Sequence, residues 1–167
     1  MLRDPLRLSL YTFVHAMINH ALTLNFFQQM RSKNDWNFLR AATEIERINS
    51  DSLKKLRSLV KFSEKIEDAI HSYTQLCITE SDYHSFQCQE FLVCQSCSNL
   101  SQLYHSCYHM KYHLLKKCED KLELLGTQHP EFSPEKTVEA ARNCRVWLNK
   151  IIADYLDIWK KVQSLEP

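Results

Sequence analysis

Glycine is almost absent from this chain: Gly126 stands alone among 167 residues, and only four prolines join it as backbone punctuation. Hairpins, tight turns and phosphate-binding loops depend on positive φ or on close backbone approach, and glycine is the usual residue for both. Helices do without it. Since 44% of the residues are hydrophobic, there is apolar material for a core, and the missing glycine predicts that an all-α fold builds it. A chain of this length buries about 70% of its unfolded surface. It needs neither a metal nor a disulfide to hold together.

The same shortage removes whole classes of enzyme. A Walker A loop, a dinucleotide fingerprint and a nucleophile elbow each require several glycines at fixed spacing, and none can be written with one. A net charge of +1 with 25% charged residues exerts no global pull on nucleic acid or on an acidic substrate. The expectation is a protein that is not an enzyme and carries no cofactor.

Apolar periodicity supplies the elements. Asp4 and Pro5 read as an N-cap followed by proline at the first helical position, after which Leu6, Leu10, Phe13, Met17, Ala21, Leu24 and Phe27 mark one face. No acidic residue, lysine or arginine falls between Leu8 and Met30. The polar residues His15, Asn19, His20, Asn25 and Gln28 within it argue for a buried helix rather than a signal peptide or membrane span. A polar break at 32–35 precedes a pattern that carries from Trp36 to Cys77, read as one bent helix over 35–77. A third stretch runs from Phe86 to Leu125 with Gly126 placed as a left-handed C-cap, and Cys94 to Asn99 is its weakest part.

Ser133-Pro134-Glu135 is the strongest helix start in the chain. Behind it Ala141, Cys144, Leu148, Ile151, Tyr155, Ile158, Val162 and Leu165 form a coiled-coil-like seam. These pieces predict a single domain over 1–167: an elongated antiparallel bundle of about four long helices, or five where one breaks. Such a domain suits a subunit or fragment of a larger protein. No family motif is legible.

Three Tyr-His pairs, at 104–105, 108–109 and 112–113, recur near one helical turn apart. On a helical wheel Leu103, Cys107, Met110, Leu114 and Cys118 form the core stripe, and the histidines fall roughly opposite, with the tyrosines between. This predicts a wet aromatic and histidine-bearing edge, for which a partner helix is the natural cover. The expected partner-binding residues are Tyr104, Tyr108, His109 and Tyr112, together with Trp147 and Trp159 beside the last seam. Trp36 adds a further aromatic.

Seven cysteines, an odd number with six of them mid-chain, read as reduced thiols of a cytoplasmic or nuclear protein rather than as a secreted disulfide framework. Cys94 and Cys97 with Cys107, His105 and His109 define an alternative, a zinc-stabilised Cys/His domain, although a continuous helix holds Cys97 and His105 about 12 Å apart along its axis. Neither His pair has the intervening glutamate of a zinc protease, and Asp68 with His71 stands alone as a di-metal motif. A secreted four-helix signalling protein is a further alternative. Two basic runs, Lys54 to Lys65 and Lys111 to Lys121, read as solvated faces, so nucleic acid is not favoured. The function expected is protein–protein interaction as an adaptor, scaffold or complex subunit by helix-face docking, with a helical partner or a second copy.

Overall fold

The computed structural model describes residues 4–23, 25–77 and 91–167. Among them every regular element is helical, as the glycine content demands. Eight helices follow in order: α1 Pro5–Leu22, α2 Phe26–Ser32, α3 Trp36–Leu59, α4 Glu64–Ser72, α5 Gln95–Tyr108, α6 Met110–Gln128, α7 Pro134–Asn143 and α8 Arg145–Gln163. The expectation of about four long helices therefore gives way to shorter ones, because each long segment is divided. None of these helices is long and apolar enough to cross a membrane. The cap expected between 79 and 81 and the helix start at Phe86 lie outside the described residues.

Helix starts follow the caps. Asp4 Oδ1 accepts the Leu6 N–H at 3.0 Å ahead of Pro5, Asp35 Oδ1 accepts that of Phe38 at 3.0 Å, and Ser133 Oγ accepts that of Lys136 at 3.2 Å ahead of Pro134. Each satisfies one of the N–H groups a helix leaves without a partner in its first turn. Asn34 takes the left-handed conformation at φ 51°, which asparagine tolerates better than most residues, and so separates α2 from α3.

The breaks fall elsewhere than expected. The bent helix read over 35–77 does run through Asn49 to Ser52 without interruption, but the chain leaves helical backbone at Val60. Ser63 then caps α4, accepting the Ile66 N–H at 3.4 Å, with Glu64 and Glu67 in the first turn. Gly126 is no C-cap: it has no positive φ, and α6 passes through it to Gln128. Pro130 disfavours helical backbone at His129, which ends α6 there. His109 (φ −96°, ψ 14°) interrupts α5 and α6. Cys144 (φ −77°, ψ 78°) divides the expected continuous seam into α7 and α8; nothing in its sequence neighbourhood accounts for that turn.

The chain forms two compact units, Met1–Ile48 with Lys111–Asp157, and Asn49–Met110 with Ile158–Pro167. In the first, α1 packs on α2 and α7. Its buried residues include Leu10, Phe13, Val14, Ile18, Phe38, Ile45, Leu114, Leu148 and Ile152, and Phe27 stacks between His20 and Phe38 at 4.4 and 5.2 Å between ring centroids. In the second, Leu56, Ile70, Tyr104, Cys107 and Val162 form the core, flanked by Leu53, Phe62, Ile66, Leu100 and Leu103. Each fully buried aliphatic side chain of this kind stabilises by about 1.5–3 kcal/mol.

Candidate functional site

The Tyr-His stretch is where the second unit concentrates its polar chemistry. Tyr104 is fully buried, although its neighbours on the wheel suggest a wet edge. Its hydroxyl donates to Glu67 Oε1 at 3.4 Å and lies 2.9 Å from His71 Nε2, so the imidazole N–H donates to the phenol oxygen. Arg57 Nη2 reaches the same Glu67 oxygen at 2.7 Å, and its guanidinium sits 5.5 Å from the Tyr104 ring centroid. Burial pushes the Tyr104 hydroxyl above its ordinary pKa, with the Arg57 charge opposing. Tyr104 therefore stays a neutral hydrogen-bonding phenol.

His105 and His109 are buried too. His105 Nε2 meets the Tyr73 carbonyl at 2.9 Å, and His109 Nε2 meets that of Ile70 at 2.6 Å. A carbonyl only accepts, so each ring presents its Nε2–H. Both contacts go to the C-terminal end of α4, where the last carbonyls of a helix have no partner within it and where a donor or a positive charge is favoured. At His105 and His109 the histidine edge is thus not a surface: α4, which one bent helix over 35–77 does not provide, covers it. Helical periodicity places the histidines opposite the stripe of their own helix, but it cannot see that a second element packs there.

Tyr108 is different. Its ring stacks on His71 at 4.1 Å and 13° and stays 42% exposed, so it is held in one orientation while presenting a face to solvent. Tyr73, also exposed, lies at the end of α4. Trp159 is buried; its N–H donates to Asn49 Oδ1 at 3.3 Å, and Asn49 Nδ2 donates to the Cys107 carbonyl at 2.7 Å. Of the residues read as partner contacts, Tyr104, His109 and Trp159 are therefore packed by the chain itself. Asn49 and Glu67, which tie this region together, escaped the sequence reading because their spacing carries no motif, and His71 was read only beside Asp68 as a lone di-metal pair.

In the first unit Tyr112 is exposed and Trp147 half-buried, with Lys121 Nζ 5.7 Å from its ring centroid. Trp36 and Val146 are well exposed. A cleft of about 630 Å³ opens against α1, α2 and α7, lined by His15, Asn19, Phe26, Glu135, Glu139 and Arg142 among others. Burial, then the Arg142 charge, lowers the His15 pKa, while the Arg142 backbone hydrogen bond opposes them. Its Nε2 is buried without a hydrogen-bond partner.

The residues of the zinc alternative are dispersed. Cys107 lies in the core with its thiol pushed up to about 12 by burial, His105 and His109 serve α4, and Cys94 and Cys97 lie together at the start of α5. No group of three or more metal-ligating side chains suited to an ion occurs among the described residues. The basic runs make local contacts: Lys55 Nζ donates to the Gln163 carbonyl at 2.8 Å, Lys111 pairs with Glu46 and Lys117 with Asp154.

No family model matches the chain, and no solved structure matches it significantly. Among curated proteins it is similar to proline-rich protein 12 of Homo sapiens and of Mus musculus, at 21% identity over 180 aligned positions in each case. The alignments cover 92% of this chain and 9% of those relatives.

Proposed function

We propose that this chain is a non-enzymatic helical module that binds another protein, with Tyr108 as an anchor of the contact. The observation that carries the reading is the Tyr108 ring, stacked on His71 and left 42% exposed. A tyrosine fixed before binding loses little conformational freedom on docking, and tyrosine is among the residues that dominate interface energetics. Exposed Tyr73 in the same unit offers apolar area beside the anchor residue's own element partners. The partner is helical, or a second copy of the chain, and the unpaired thiols fit a cytoplasmic or nuclear setting.

The relatives support the module reading. They are named for proline richness, whereas this chain has four prolines in 167 residues, and it matches 9% of their length. Capture from cell extract with the wild-type chain and with Tyr108→Ser, followed by titration of the enriched partner, tests the proposal. We expect Tyr108→Ser to weaken binding at least about tenfold, the range of an interface anchor, with an unchanged circular dichroism spectrum. Undiminished binding by the folded variant overturns it. His109→Ala is unsuitable for this purpose because it strips the Ile70 carbonyl rather than a surface.

A further inference from the structure

The motif Cys94-Gln95-Ser96-Cys97 occupies the first turn of α5. Cys94 is the N-cap (φ −68°, ψ 162°), and its Sγ accepts the Cys97 N–H at 3.3 Å. Cys94 is exposed and Cys97 partly so. Serine, threonine, aspartate and asparagine usually take an N-cap; a sulfur there receives the same N–H and the positive end of the helix dipole, the setting that activates a thiolate. Cys107 and Cys118 provide the contrast, both buried in apolar surroundings.

We propose that Cys94 and Cys97 form a redox-active dithiol, with Cys94 as the attacking sulfur and Cys97 as the resolving one, that exchanges with disulfides of the glutathione class. The electrostatics agree with these roles. The neighbouring Cys97 thiol, then the Cys97 N–H, holds the Cys94 thiol below its ordinary pKa, while the Cys94 thiol raises that of Cys97.

The exchange balances without a further oxidant. Cys94 thiolate, its proton released to water, attacks one sulfur of glutathione disulfide; the Cys94–glutathione bond forms, the glutathione S–S bond breaks, and one glutathione leaves as thiolate and is protonated. Cys97 then loses its proton and attacks Cys94 Sγ, forming the Cys94–Cys97 disulfide and expelling the second glutathione. The chain gives up two protons and two electrons in all, and glutathione disulfide takes them to become two glutathione thiols. Residues three apart on a helical turn lie about 5–6 Å apart at Cβ, and a disulfide asks for about 3.5–4.5 Å. A modest tightening at the non-helical N-cap closes that gap.

The test uses the full reduced chain in buffers of reduced and oxidised glutathione, quenched with acid, blocked with maleimide and mapped by peptide mass spectrometry. We expect a Cys94–Cys97 disulfide that dithiothreitol reverses. In Cys97→Ser, glutathione should accumulate on Cys94 about tenfold over Cys77 and Cys144, in proportion to thiolate character. Cys94→Ser keeps an N-cap and so a folded helix start; its Cys97 should take up no more glutathione than Cys77. Equal glutathione on Cys77, Cys94 and Cys144 in Cys97→Ser overturns the proposal. So does a disulfide joining Cys94 or Cys97 to Cys77 or Cys88 in place of the internal one.

Discussion

Tyr104 shows how a single side chain converts a surface motif into a core. Its ring fills the centre of the second unit, and its hydroxyl is the meeting point of His71 and Glu67. Removing only the hydroxyl leaves the packing and forfeits hydrogen bonds, whereas removing the ring opens a cavity. Tyr104→Phe should therefore cost about 1–2 kcal/mol in urea denaturation, and Tyr104→Ala about 3–5 kcal/mol. Equal losses would mean that the ring is not packed as described. His15 gives a pH signature at the same scale. Its folded pKa lies below 6.5, so below pH 6.5 the unfolded chain binds more protons at this site than the folded one, and stability falls as the pH drops. Above that value both states are neutral and the effect vanishes. Denaturation midpoints measured from pH 7.5 to 5.5 should decline, and His15→Gln should flatten the decline.

At the scale of the element, the instructive residues are the two ends of helices that periodicity misplaces. Ser63, Glu64 and Glu67 carry the cap and acidic first turn of α4, a local signal that the continuous apolar phase from Leu53 to Ile70 hides. Ser63→Ala should cost about 1 kcal/mol and raise hydrogen exchange in the first turn of α4; no change would place the helix start elsewhere. Gly126 discriminates between two structures outright. As a left-handed C-cap it would resist alanine, but inside α6, with no atom within 4 Å of an added Cβ, Gly126→Ala should stabilise by about 0.5–1 kcal/mol. A loss of stability would restore the C-cap. The starts of α1 and α7 were legible in Asp4-Pro5 and Ser133-Pro134 because those caps are chemical and local. The breaks at His109 and Cys144 were not: no cap, glycine or proline marks either position, and the Ile70 carbonyl that His109 meets lies on another helix, which no spacing along α5 and α6 records.

For the molecule as a whole, one glycine and the apolar content determined the fold class, while the division of long segments into eight described helices rests in part on local caps, at Asp35 and Ser63, that the continuous apolar phase conceals. Tyr108 and Tyr112 stay exposed as periodicity places them, whereas Tyr104, His109 and Trp159 are taken up by Glu67 and His71, by the Ile70 carbonyl and by Asn49. The exposed part of the stripe in the second unit is narrower than the full stripe, a Tyr108 ring stacked on His71, and the proposed docking rests on it. The most direct measurement places a photoreactive phenylalanine analogue at Tyr108, and separately at buried Trp159, and follows crosslinking in cell extract by mass spectrometry. Binding through Tyr108 predicts discrete adducts with another protein or a second copy from that position and none from Trp159. No adduct from Tyr108, or the same pattern from both positions, would contradict it.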